Sequence, residues 1–152
     1  MNRKIKIQIT EQPILLGHST ENEGGSWLQG SLAHGAEVVF IGRIRNYNQG
    51  KTVKAVSYDV FIPLAQKTLQ TLCEEAQDRW GKDLEIQIIH RTGKVELGGI
   101  SVMIRVTSTH RDESYQASRY LIEEIKHRVP IWKKEHYTEG ESAWLEGHAL
   151  CS

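Results

Sequence analysis

Ile5, Ile7 and Ile9 alternate with Lys6 and Gln8, the period-two pattern of a strand with one buried face. Thr10 to Pro13 interrupts the pattern, and Ile14 to Leu16 suits a short second strand. Residues 21–26 contain Gly24-Gly25 and read as a loop, after which Trp27 and Leu28 are expected to anchor the chain to the core. Ala36 to Arg45 is the strongest strand signal. Val38, Phe40, Gly42 and Ile44 share one face, and Val39, Ile41, Arg43 and Arg45 share the other. Asn46 to Gly50 is rich in turn formers. Thr52 to Phe61 is strand-like again, so the pattern predicts a long-looped hairpin between these two strands.

The period then changes. Ala65, Leu69, Leu72, Cys73, Ala76 and Trp80 recur at helical spacing, opened by Pro63 and closed by Gly81. Leu84 to Arg91 returns to alternation, with His90 read as a structural histidine. A short piece, Lys94 to Leu97, lies between glycine-bearing turns. Ile100 to Thr107 is a clean strand that leads directly to His110-Arg111. A second helix follows, with Asp112 or Ser114 expected as its cap and Pro130 as its stop. Tyr115, Leu121, Ile122, Ile125 and Val129 are expected on its apolar face, with Arg119 and Lys126 at the border. Lys126 has a bland reading as a lysine lying along the core edge, with Glu123 open to it as an ion-pair partner. Beyond Pro130, Ile131, Lys133 and Glu135 point one way, and Trp132, Lys134 and His136 the other, with Trp132 packed behind Lys133. Trp144 is expected to dock the tail. This order predicts an α+β fold: a mainly antiparallel sheet, helices on one side, and one domain over residues 1–152 with a small β subdomain.

Composition narrows the function. Lys+Arg and Asp+Glu stand at 19 each, so the formal net charge is zero, against a generic nucleic-acid binder. Cys73 and Cys151 are far apart and no Cys/His cluster suggests a metal. No long apolar run suggests a membrane span, and the amino terminus lacks a signal-peptide block, so a cytoplasmic protein is expected.

What remains is a set of cations at the ends of elements: Arg43, Arg45, His110, Arg111, Lys126, Lys133 and Lys134. Arginine forks clamp phosphate or carboxylate, and a helix N-terminus favours anions. A lysine beside apolar surface and other cations loses part of its preference for charge, which suits proton transfer. No serine or cysteine nucleophile and no glycine-rich phosphate loop stands out. The residues therefore point to an anionic substrate and lysine acid–base chemistry, if the element ends meet.

The motifs V-V-F-I-G-R-I-R-N, I-I-H-R-T-G, T-S-T-H-R and K-H-R-V-P-I-W-K-K-E span roughly residues 36 to 135. In this combination and order the chain resembles the large, catalytic subunits of molybdopterin synthase, the MoaE family. The resemblance implies an α/β hammerhead fold, a homodimer, and a small ubiquitin-like sulfur-carrier subunit as partner in a heterotetramer. The carrier's C-terminal Gly-Gly thiocarboxylate would enter a pocket of this chain. Two sulfurs would pass to cyclic pyranopterin monophosphate, opening the cyclic phosphate and making the dithiolene of molybdopterin. No cofactor or metal of this chain's own is implied. Carried over by motif position, Lys126 meets the thiocarboxylate and Lys133 acts in acid–base catalysis. Arg45, His110 and Arg111 bind the pterin phosphate, with Arg43, Ile44, Lys134 and Glu135 lining the site. Family pockets draw on both protomers. The tail departs from the pattern, with His148 where many relatives carry an arginine. Two rivals stand beside this reading. One is a single-stranded nucleic-acid module using Trp132, Tyr137 and the cations. The other is a non-catalytic scaffold that holds the carrier.

Overall fold

The computed structural model describes residues 4–16, 30–138, 140 and 143–144, the last two by their backbone. Trp27, Leu28, Cys151, His148 and the docking of Trp144 lie outside what is described. Among the described residues, eleven elements run in order: β1 (Ile5–Thr10), β2 (Ala36–Arg43), β3 (Tyr47–Asn48), β4 (Lys51–Val60), α1 (Ile62–Trp80), β5 (Glu85–Arg91), β6 (Gly93–Glu96), β7 (Ile100–Ser108), α2 (Arg111–Arg128), β8 (Ile131–Tyr137) and β9 (Ala143–Trp144).

The strands form two sheets. The first has the order β1-β5-β7-β2, parallel between β1 and β5 and antiparallel elsewhere. The second has the order β3-β4-β8-β9, with β6 also paired to β4. The chain changes sheets at Thr92, whose N–H donates to Thr10 O while its hydroxyl donates to Tyr58 O. The architecture is α+β, as the element order predicted.

Two local expectations are corrected. Ile14 to Leu16 is not a strand; Ile14 instead buries itself beside Ile89, Ile100 and Met103 on the outer face of the first sheet. The predicted hairpin does not form either. β2 pairs with β7, while β4 pairs with β3, β6 and β8. β7 is buried along nearly all of its length, and it takes the interior position beside β2 that the hairpin would have filled. The turn at Asn46 to Gly50 serves only the small β3–β4 pair.

Both helices cover one face of the first sheet. From α1, Ala65, Leu69, Leu72, Cys73 and Ala76 are buried; from α2, Ala117, Leu121 and Ile125. They meet Ile86, Ile88, Val102, Ile104 and Val106 in one cluster, which continues to Val53, Val56 and Ile131 of the second sheet. Each fully buried Leu or Ile contributes about 1.5–3 kcal/mol. Cys73 belongs to this core, where burial pushes its thiol pKa up.

α2 differs from its expected details. His110 is the N-cap, in extended conformation and without a side-chain cap bond. The Ser108 hydroxyl donates to His110 O at 2.5 Å, so the strand-to-helix turn closes earlier than a cap at Asp112 or Ser114 would allow. Ser114 is buried and donates to Arg111 O. Tyr115 is exposed, because Ser114, Ala117 and Ser118 face the sheet and turn it outward. Glu123 pairs with Arg119, four residues earlier, rather than with Lys126. The helix ends as expected, with Val129 extended before Pro130.

Candidate active site

Where α2 ends, β8 begins and β2 leaves its sheet, a cleft of about 330 Å³ opens. Arg43, Arg45, Lys126 and Lys133 line it together. Each is delivered by a local rule. Lys126 follows Ile125 on the helix, so it sits at the edge of the buried face, with Ile122 and Ile125 as its apolar neighbours in the cleft. Pro130 turns the chain into β8, and alternation from buried Ile131 aims Lys133 to the same side. Arg43 and Arg45 flank Ile44, which is locked to the following turn: its N–H donates to Gly99 O and its carbonyl accepts from Gly98 N–H. Ile44 itself is buried in the core and lends only its backbone to this corner. Arg43 Nη1 donates to Gly98 O at 2.8 Å, which holds that guanidinium along the rim.

The remaining cations fall elsewhere. His110 and Arg111 stand at the opposite end of α2, and at about 1.5 Å per residue the helix carries Arg111 roughly 20 Å from Lys126. The register agrees: Ala36 pairs with Ser108 at one end of the β2–β7 ladder and Arg43 with Ile100 at the other. The expectation that all these cations meet is therefore corrected for a single chain, because a strand and an antiparallel helix of matched length must place their starts and ends far apart. Lys134 lies on the other face of β8, where its charge acts on His136. Trp132 is 44% exposed and does not pack behind Lys133.

The electrostatics single out Lys133, whose side chain is 18% exposed. Burial lowers its pKa first; Glu135 opposes this, and Arg45 and Lys126 add to the lowering. Its amine can thus exchange a proton more readily than a surface lysine. Glu135 is buried, with Oε2 4.0 Å from Lys133 Nζ.

The floor of the cleft is neutral and was not read from the sequence. Tyr58 pairs directly across from Lys133 in the β4–β8 register. Burial raises its pKa, a bond with Ser101 opposes this, and Glu135 adds to it, so the phenol stays protonated. Its ring meets His90 edge-on, with centroids 5.2 Å apart. His90 is buried, and burial pushes its pKa down to about 4 against the bond to Arg91 O. A carbonyl can only accept, so the 2.7 Å contact puts the ring proton on Nδ1 and leaves Nε2 as the acceptor. His90 is structural, as expected, yet it also lines the cleft. Ser101 completes this floor and donates to Gly42 O. Only strand pairing brings Tyr58 and Ser101 here, and pairing was misread for β4. Among the described residues, no group of three or more His, Cys, Asp or Glu is placed to hold a metal ion.

A lysine half-enclosed among arginine and lysine, above a neutral polar floor, is chemically suited to hold an anion and to exchange a proton. The chain is similar to known proteins over most of its length. Residues 9–128 match the MoaE protein family. The molybdopterin synthase catalytic subunit of Synechococcus elongatus is 44% identical over 118 residues, covering 78% of this chain and 72% of that one. The crystal structure of molybdopterin synthase from Staphylococcus aureus superposes with a TM-score of 0.79 at 35% identity, covering 96% of this chain and 98% of that one. A complex of subunits 1 and 2 of the molybdopterin-converting factor from Helicobacter pylori shares the fold, with a TM-score of 0.66 at 21% identity, covering 90% and 87%. The chain belongs to the MoaE family. Its function is that of a catalytic subunit of molybdopterin synthase, in molybdenum cofactor biosynthesis.

Proposed function

We propose that the cleft transfers sulfur from the thiocarboxylated Gly-Gly terminus of a small ubiquitin-like carrier subunit to cyclic pyranopterin monophosphate. The observation that carries this reading is Lys133, half-enclosed beside Arg45 and Lys126 with its pKa lowered by burial. A lysine in that state holds an anion when protonated and accepts a proton when neutral. Lys126, at the exposed mouth, meets the thiocarboxylate. Lys133 moves protons as sulfur adds to the pterin, and Arg45 takes the phosphate through its forked donors. Arg43, Ile44 and Glu135 shape the site.

His110 and Arg111 reach the phosphate from a second copy of the chain in a homodimer. Their distance from Lys126 within one chain supports this, and an exposed helix N-terminus suits a phosphate. Lys134, on the far face of β8, stands apart from the substrate in this reading. The complex of subunits 1 and 2 in the Helicobacter pylori neighbour supports a carrier subunit, two of which with two of these chains make a heterotetramer. The chain works as one unit over residues 1–152, in the cytoplasm. Among the described residues no helix is long and apolar enough to cross a membrane.

Reconstitution tests this. The chain is incubated with thiocarboxylated carrier and the cyclic pterin, and product is measured. Product should form only with all three. Product of equal yield from a carrier ending in an ordinary carboxylate would remove the sulfur-transfer reading. Carrier binding without any product would leave the scaffold rival.

A further inference from the structure

Glu135 is 3% exposed, and a carboxylate out of water is costly unless other donors replace that water. Its side-chain hydrogen-bond donors among the described residues are neutral. Asn48 Nδ2 donates to both oxygens, at 3.1 Å to Oε1 and 2.9 Å to Oε2. The Tyr137 hydroxyl donates to Oε1 at 3.1 Å. The cation, Lys133 Nζ, stands 4.0 Å from Oε2, beyond hydrogen-bond length. The donors are themselves fixed. Asn48 ends β3 at a tight turn in which Gln49 and Gly50 both take positive φ, 48° and 81°, as the hairpin twist requires. Tyr137 is buried at the end of β8, with Lys51 Nζ 4.7 Å from its ring centroid.

We propose that Asn48 and Tyr137 are positioning residues for the reaction: they hold the Glu135 carboxylate just short of Lys133, so that the ammonium is restrained without being locked in an ion pair. The inference rests on the acid–base role given to Lys133 above. A lysine in a closed ion pair keeps its proton too firmly to serve as a base. A lysine among cations with no acid nearby gives it up too early to meet an anion. Holding the acid back by about one bond length sets a point between the two. The groups that face Lys133 are Glu135 on its own strand, Arg45 beyond β2, Lys126 on α2, and neutral Tyr58 on β4; Arg43 and His90 line the same cleft. Glu135 is the acid among them, so its distance is the adjustable quantity.

The test follows the Lys133 ammonium by nitrogen NMR across pH in the parent, Asn48→Leu, Tyr137→Phe and Glu135→Gln, beside the pH profile of product formation. Without its neutral donors the carboxylate turns to the nearest remaining one, Lys133 Nζ. The Lys133 midpoint then rises by on the order of one pH unit, and the rising limb of activity moves up with it. Glu135→Gln removes the attraction and moves the midpoint down. The affinity for carrier stays at the parental value in Asn48→Leu and Tyr137→Phe. A midpoint that stays or falls in Asn48→Leu and Tyr137→Phe overturns the proposal, including the case where activity drops equally at every pH. A midpoint that rises while the activity profile stays put upholds the clamp and removes the acid–base role of Lys133 instead.

Discussion

The two ends of α2 carry cations in opposite settings. At the C-terminal end, Lys126 joins Arg45 and Lys133 in a cleft backed by Ile122, Ile125 and a neutral floor. At the N-terminal end, His110 and Arg111 are exposed, just ahead of the acidic first turn of Asp112 and Glu113. Enclosure lowers the cost of losing a proton, and exposure next to unpaired helix N–H groups favours gripping an anion without any proton moving. One end is suited to chemistry and the other to holding. If both serve one substrate, they must belong to different copies of the chain.

The largest effect should come from the enclosed end. Lys133→Ala is expected to cut product formation by about 100-fold or more, the scale of a lost acid–base group, with the melting temperature kept. Lys126→Ala should fall comparably. Lys126→Arg should restore little, because arginine keeps the charge but presents a planar fork where a compact ammonium is needed. Product per turnover, measured with melting temperature, checks all three.

At the exposed end, Arg111→Ala should weaken pterin binding by about 1.5–3 kcal/mol, one charge-assisted contact, and leave carrier binding alone. Separate titrations of the two ligands decide it; equal losses would merge the two ends into one function.

Stability sharpens the contrast further. The folded pKa of Lys133 lies below its ordinary value, so the folded state binds fewer protons than the unfolded one between the two values. Stability therefore rises with pH through that window, and the charged lysine is a net cost below it. Lys133→Met should lose activity without lowering the melting temperature at neutral pH, and should flatten the alkaline rise. A clear drop in melting temperature at neutral pH would show that Lys133 is kept for the fold.

The smallest effect lies between the helices. Glu75 accepts from both Arg128 Nη atoms, at 2.7 and 2.9 Å, and from the Tyr120 hydroxyl. The Arg128 bond leads in lowering its pKa to about 2. Its stabilisation is present above the ordinary carboxylate value and fades as pH falls toward about 2. Water reaches this pair, so Glu75→Gln should cost no more than about 1 kcal/mol, and the cost should be smaller in acid. Denaturation at pH 7 and pH 3 measures both.

Much of this was legible in the sequence because it depends on local period. Alternation through Ile131, Lys133 and Glu135 and the helical placing of Lys126 beside Ile125 need no knowledge of distant contacts. The helix bounds at Pro63, Gly81 and Pro130 are local too. Strand pairing is not local. Chain order suggested that β2 and β4 pair, and the error hid Tyr58, whose place opposite Lys133 depends on β4 pairing with β8. The position of His110 and Arg111 failed for a related reason. A motif groups residues along the chain, but only helix length shows that a single chain cannot bring these together.

The most direct measurement is complementation between Lys133→Ala and Arg111→Ala, mixed and allowed to exchange protomers at a pterin concentration too low for either variant alone to turn over. If each site takes its lysines from one copy and His110-Arg111 from the other, half the mixed molecules pair the two variants, and each of these holds one intact site. Activity should then return to about a quarter of the parental value, as a two-fold symmetric assembly requires. A mixture that exchanges protomers yet stays as inactive as its components would contradict the shared site.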